Sequence, residues 1–355
     1  MIKLFSRKKT KEIAPSIART NALSYRYPAD GTPGFRIYEE MLNDPLVRSA
    51  ITVKKLGALA VPWQLESGGN SRNDEFIAAM FEEMEGSPGG VLYDALDAVA
   101  KGYAVMEKIL DIGLPGFADG VWIRCVKPKD PSMFGFDVDE FLNIKSLVLH
   151  VPGEGGQELP PDKFVVYAYN RRYAQPHGES DLKSAYRHWR IKRELIEQWN
   201  AHLEKYASPA IVGKFPRGLS EEDQTQLLDA LDKVQRQSAL VHPDDVEVSL
   251  LDGRRSSESG YLEAIDYHNR EIARSILGQT LTTEDSRKIG SLALGKVHLQ
   301  VLIMQLNGLR RDIAERVMNE QIIRPTIDLN FGPGGYPKFV FDEPELDVFR
   351  TGNVV

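Results

Sequence analysis

The chain has 355 residues, so at about 150 residues per domain it has room for two to three structural units and a core that needs no disulfide or metal staple. Its 42% hydrophobic, 27% charged and 9% aromatic content is ordinary for a globular chain and excludes collagen-like, wholly coiled-coil and wholly disordered readings. A formal charge of −7 argues against a protein that coats nucleic acid with massed cations.

No stretch reaches the roughly eighteen apolar residues of a membrane span, and the apolar run in MIKLFSRKKTKEIAPS is too short for a signal peptide, so synthesis in the cytoplasm is expected. The single cysteine, Cys125, cannot close an intramolecular disulfide, and its neighbours Ile123, Arg124 and Val126 predict a buried thiol on a strand.

Residues 1–34 read as an N-terminal arm, with six bases against one acid in the first twenty. From Phe35 a short helix stops before Asp44-Pro45, and a longer one follows with Leu46, Ala50, Val53 and Leu56 or Gly57 on its apolar face. Pro62 ends it and a strand follows. Asn73 to Met84 and Leu92 to Lys101 have helical spacing around a Gly86–Gly90 turn, and Tyr103–Leu110, Val121–Val126, Ile144–His150 and Phe164–Tyr169 read as strands. Residues 35–180 therefore form one α+β unit.

The next segment changes character. Leu182, Ala185, Trp189, Ile196, Trp199, Leu203 and Tyr206 make one stripe on a helix of about twenty-five residues, with Ser180 as N-cap and Asp181 just inside it. Arg187, Arg190, Lys192 and Arg193 bunch in its first half, where a solvated face is the ordinary meaning. A compact acidic piece follows: strands at Ala210–Phe215, Ala239–Val241 and Val246–Leu251, and a helix opened by Ser220 with Asp223 in the capping-box position. Between Leu219 and Asp252 nine acids face two bases. Tyr261–Leu277 is again helical, with Leu262, Ile265, Ile272 and Ile276 apolar; residues 278–291 are a polar loop. A long helix then runs from Leu292 to Glu320 on Leu294, Val297, Val301, Leu309, Ile313 and Val317, stopped by Pro325, with strands at Thr326–Asn330 and Lys338–Phe341.

Catalytic patterns are weak. Gly290, Gly295 and Lys296 fit the first part of a phosphate-binding loop, but Val297 replaces the hydroxyl residue that holds magnesium and no buried strand precedes it. The seven histidines (150, 177, 188, 202, 242, 268, 298) contain no metal-ligand spacing, and His188 and His202 lie too far apart on one helix to share an ion, so isolated structural roles are expected. No enzyme activity, cofactor or metal is expected.

Several phrases carry a family resemblance: ARSILGQTLTTE (Ala273–Glu284), GSLALGKVHLQV (Gly290–Val301), LEKYASPAIVGKFPRGLSEEDQTQLLDAL (Leu203–Leu231), ALVHPDDVEVSLLD (Ala239–Asp252), NDPLVRSAITVKKLGALAVPWQLE (Asn43–Glu66) and LPPDKFVVYAYN (Leu159–Asn170). They resemble the Mu-like bacteriophage portal protein family, in order along most of the chain. The resemblance implies a ring, usually dodecameric, at one capsid vertex of the virion, through which a terminase packs double-stranded DNA and DNA later leaves. It implies an α+β portal-type subunit with a wing over residues 35–180, stem helices at 181–206 and 258–277, a clip at 207–257, a channel loop at 278–291, and a long helix with wing or crown remnant at 292–355.

On that mapping Thr282, Thr283, Glu284, Asp285, Ser286, Arg287 and Lys288 form the loop at the DNA, without sequence readout. Arg187, Arg190, Lys192 and Arg193 are stem charges, and Glu221, Glu222, Asp223, Asp244 and Asp245 form a clip face for terminase or head-tail connector. The major capsid protein is a further implied partner, and no membrane is. Relatives continue further past the position of Glu320, which implies a reduced crown here or a truncated chain. A head-to-tail adaptor ring, or a nucleotide-binding enzyme using Lys296, are the alternatives.

Overall fold

The computed structural model describes residues 34–150, 156–173, 175–207, 211–214, 220–236, 247–250, 258–279 and 292–342. The arm, the Ala239–Val241 strand, Asp244, Asp245 and the loop residues Thr282–Lys288 lie outside them. The fold is α+β, and contacts divide it into two compact units: one formed by residues up to Tyr186 and from Ile272 on, the other by Arg187–Glu271.

The first unit opens with α1 (Phe35–Met41) and α2 (Pro45–Leu59). The Asp44 side chain accepts from the Leu46 and Val47 amides at 2.9 and 3.4 Å, with Pro45 supplying the preset φ of a first helical residue. The buried face of α2 is Val47, Ala50, Ile51, Lys54, Lys55 and Ala58, whereas Val53 and Leu56 are exposed. The expected apolar face is thus rotated, because two lysines occupy the buried stripe with charge partners that lie far away in sequence. Strand β1 (Trp63–Glu66), α3 (Ser71–Glu83), α4 (Ser87–Ala95) and α5 (Ala98–Lys101) follow. The expected Gly86–Gly90 turn is the first turn of α4, with Pro88 tolerated there because its missing N–H has no helical partner to lose.

Strands β2 (Tyr103–Leu114), β3 (Phe117–Lys129) and β7 (Phe164–Ala168) form an antiparallel sheet in the order β3-β2-β7, while β4 (Phe134–Val138), β5 (Ile144–Leu149) and β6 (Gln157–Leu159) form a second. Tyr103, Val105, Phe134, Phe136, Leu147, Phe164 and Ala168 make a core cluster that includes residues of both sheets. Cys125 is buried on β3, as expected.

The C-terminal run is one path of α9 (Leu292–Ile313), a π-helical segment (Ala314–Ile323) and α10 (Arg324–Phe331), ending in β10 (Lys338–Phe341), which pairs antiparallel with β1. Pro325 does not stop the helix and Thr326–Asn330 is not a strand. Proline stands where the π-helical segment meets α10, and the Gln321 carbonyl one turn before it accepts instead from the Lys108 ammonium at 3.1 Å. This run closes exposed strand edges with side-chain amides. Gln321 accepts from the Val166 amide at 2.8 Å and donates to its carbonyl at 3.0 Å, on edge strand β7. Asn330 makes the same double contact with Val121 on the opposite edge, at 2.8 and 2.7 Å, and Asn319 does so with Phe339 on β10, at 2.8 and 3.2 Å. Each amide completes a ladder that would otherwise present unpaired backbone groups.

The second unit lies within α6 (Leu182–Ala207), the ribbon β8 (Ile211–Lys214) with β9 (Glu247–Leu250), α7 (Glu221–Arg236) and α8 (Glu258–Leu277).

Candidate functional site

Burial along α6 follows the predicted stripe only at first: Leu182, Ala185 and Trp189 are buried, while Leu203 is exposed. Ser180 caps the helix as expected, accepting from the Leu182 amide at 3.0 Å. Its basic bunch is not one face. Arg190 pairs with Glu194 at 3.4 Å and Arg193 with Glu197 at 3.9 Å, one turn on, and Arg193 also lies over the Trp189 ring. Lys192 is buried rather than solvated. Such i,i+4 pairs on exposed helix are worth only about 0.3–0.5 kcal/mol each, but they balance charge locally.

The structure adds a contact that sequence spacing hides. His188 on α6 and His268 on α8 face each other with their Nδ1 atoms 3.0 Å apart, and His202 packs against the Tyr261 ring. These histidines are not isolated; the partners lie on a different helix, so no spacing within one element reveals them.

On α7 the acidic residues have a local role first. The Asp223 amide donates to Ser220 Oγ at 3.2 Å and the Ser220 hydroxyl donates to the Asp223 carboxylate at 2.6 Å. Glu221, Glu222 and Asp223 crowd the first turn, where the helix dipole favours negative charge, and all three are exposed. The turn therefore displays an anionic patch that any cationic partner surface could meet. Gly295 and Lys296 lie inside α9, so their backbone belongs to a helix instead of a loop wrapped around phosphate.

The first unit holds a polar cleft of about 570 Å³, lined by Lys54, Tyr169, Arg171, Asp181, Gln305 and Arg316 among others. At its floor the Lys54 ammonium uses all three donors: Asp181 Oδ2 at 2.6 Å, the Tyr169 hydroxyl at 3.0 Å and the Ile276 carbonyl at 2.9 Å. Burial opposes this charge, but Asp181 and Tyr169 outweigh it and hold the ammonium above the ordinary lysine value. Asp181, expected just inside the helix as a cap-region acid, serves this ion pair instead. Arg310 binds the end of α2 in a related way, donating to the Ala58 and Gly57 carbonyls at 2.8 and 2.5 Å. These are among the helix's last carbonyls, which lack partners of their own and attract a cation. The readable signal for Lys54 was a charged residue in register with Val47, Ala50, Ile51 and Ala58.

Among the described residues no three His, Cys, Asp or Glu side chains gather to hold a metal, and no helix is long and apolar enough to cross a membrane.

The portal protein of Escherichia phage Mu is 25% identical over 328 residues, covering 85% of this chain and 59% of that protein. The Mu-like prophage FluMu protein gp29 of Haemophilus influenzae is 24% identical over 322 residues, covering 87% and 61%. The chain thus spans about three fifths of the length of these curated relatives. Among solved structures, the fold is similar to a chain in the virion of a native gene transfer agent particle (TM-score 0.65, 10% identity, 88% and 84% covered). It is also similar to one in the neck of that native particle computed with C12 symmetry (0.61, 12%, 90% and 89%). An HK97 family phage portal protein from Corynebacterium diphtheriae aligns at 0.50 and 13% identity over 86% and 94%. At these identities the likeness speaks for the fold. The family model described as the portal protein of Mu bacteriophage matches residues 35–351, and the chain belongs to that family.

Proposed function

We propose that this chain is the subunit of a homo-oligomeric ring, a dodecamer, at the portal vertex of a phage particle, and that the ring conducts double-stranded DNA inward during packaging and outward on ejection without catalysis. The observation that carries the reading is the order α6, small acidic β8-α7-β9 piece, α8, then α9, in a chain of the Mu portal family. That order supplies two helices to line a passage and a compact insert between them. The gene transfer agent necks, computed with C12 and with C6 symmetry, support a closed ring.

In this reading residues 35–180 are the wing, α6 and α8 the stem, residues 207–257 the clip and residues 278–291 the channel loop. The paired charges on α6 suit a conduit, because a lumen that released counterions by gripping phosphate would hold DNA in place. The exposed first turn of α7 is the docking face for a terminase or head-tail connector, and the wing meets the capsid.

Negative-stain electron microscopy with native mass spectrometry on the purified protein tests the reading. The expected result is a closed ring with an open channel wide enough for a duplex. Monomers or closed globular oligomers over a wide range of protein and salt concentration would overturn it.

A further inference from the structure

His188 and His268 stand on neighbouring helices with Nδ1 atoms 3.0 Å apart and ring centroids at 5.3 Å, tilted by 46°. With the centroids so much further apart than the nitrogens, the two nitrogens point at each other and do not converge on a shared third point. The contact is a hydrogen bond between imidazoles, and a bond of this kind has one arrangement of protons: one ring carries its Nδ1 proton and donates, while the other presents a bare Nδ1 and carries its proton on Nε2. One added proton is accommodated, because it can settle on an outer Nε2. A second one puts N–H against N–H at contact distance and two like charges in the same place.

The surroundings sharpen this. Arg187, on α6 next to His188, adds positive charge near His268, while Glu271 on α8 opposes it. Tyr267 on α8 packs its ring edgewise on both imidazoles, at 6.0 and 5.2 Å, which limits rearrangement that would relieve the pair. Burial first, then His188 and Arg187, hold His268 below its ordinary value.

We propose that the His188–His268 pair is a proton-controlled clasp between α6 and α8, closed at neutral pH and released under acid conditions, so that acidification loosens this helix pair while the sheets stay folded. The inference concerns the helix pair itself and holds whether or not the ring reading does. The sign follows from linkage: a pair that resists its second proton when folded and accepts it freely when apart contributes stability above the ordinary histidine value of about 6.5 and loses it as pH falls below that. Each unit by which the closed pair lowers that affinity corresponds to about a tenfold change in the opening equilibrium.

The test is hydrogen–deuterium exchange with mass spectrometry on the full chain at pH 7.5 and pH 5, with rates corrected for intrinsic exchange. Peptides from Arg187–Glu204 and Gly260–Glu271 are expected to lose about tenfold in protection at pH 5 relative to pH 7.5. His188→Gln and His268→Gln, each able to keep one hydrogen bond without titrating, should each abolish the difference, and His202→Gln should preserve it. The two single variants are independent, so failure of one to fold leaves the other, and the wild-type measurement stands by itself. Undiminished protection of the wild-type helices at pH 5, or an equal loss in both Gln variants, would overturn the clasp.

Discussion

Helix α2 of the first unit buries two lysines, Lys54 and Lys55, whereas α6 in the second unit displays most of its arginines to solvent; the same class of side chain is handled in opposite ways. Lys54 has three acceptors around it, and Lys55 pairs with Asp97 at 2.5 Å while lying over the Tyr93 ring. On α6 Arg190 and Arg193 meet glutamates one turn away, at the exposed surface. Buried pairs are costly to break from one side, because the remaining charge stays in a low dielectric, while exposed pairs screen and exchange with little loss. The first unit is accordingly a frame specified by long-range ion pairs and amide clamps. The described ion pairs of the second are exposed, where salt screens them.

The largest effect that would break this comparison is at Lys54. Lys54→Met leaves the Asp181 carboxylate buried beside Tyr169 without its cation, and a loss of about 3–5 kcal/mol is expected in chemical denaturation. The double variant Lys54→Met with Asp181→Leu should recover most of it. A single variant as stable as wild type would place the first unit's buried charge on the same footing as the exposed pairs.

A second test uses pH. His177 packs edge-on against Tyr103 and Phe136, and burial pushes it down to about 4. Its folded form refuses the proton that the unfolded chain takes at about 6.5, so its contribution is complete above about 6.5 and fades as pH drops toward 4, by up to about 3 kcal/mol. Thermal melting from pH 7 to pH 4 should show a shallower decline in His177→Phe than in wild type. Parallel curves would remove His177 from the acid response.

The smallest effect sharpens the second unit's side. Ser220→Ala removes the cap of α7 and should cost about 1 kcal/mol, confined to that helix, read as faster exchange of its first two turns with unchanged protection in the sheets. Loss of protection throughout the chain would show that α7 is coupled to the frame.

Much of the local architecture was legible beforehand. The sequence predicts the Lys338–Phe341 strand with its observed ends, α6 as a helix of about twenty-five residues capped by Ser180, and the Ser220–Asp223 box as found. Each rests on a signal carried by neighbours in sequence: alternation, helical period or cap spacing. The misreadings share the opposite property. The rotated face of α2 depends on Asp181 and Asp97, the continuation of helix through Pro325 on a run packed against the frame, and the pairing of His188 with His268 on two helices eighty positions apart.

The sequence by itself determined that the chain is α+β, that two amphipathic helices bracket an acidic α/β piece, and that its ordered phrases resemble one phage family, because composition, period and motif order are properties of the linear chain. Only tertiary structure decided which lysines are interior, which strand edges Gln321, Asn330 and Asn319 complete, and which histidines share a hydrogen bond. Those outcomes turn on desolvation and on hydrogen-bond geometry between remote residues, and both arise only when the folded chain has excluded water and fixed the distances.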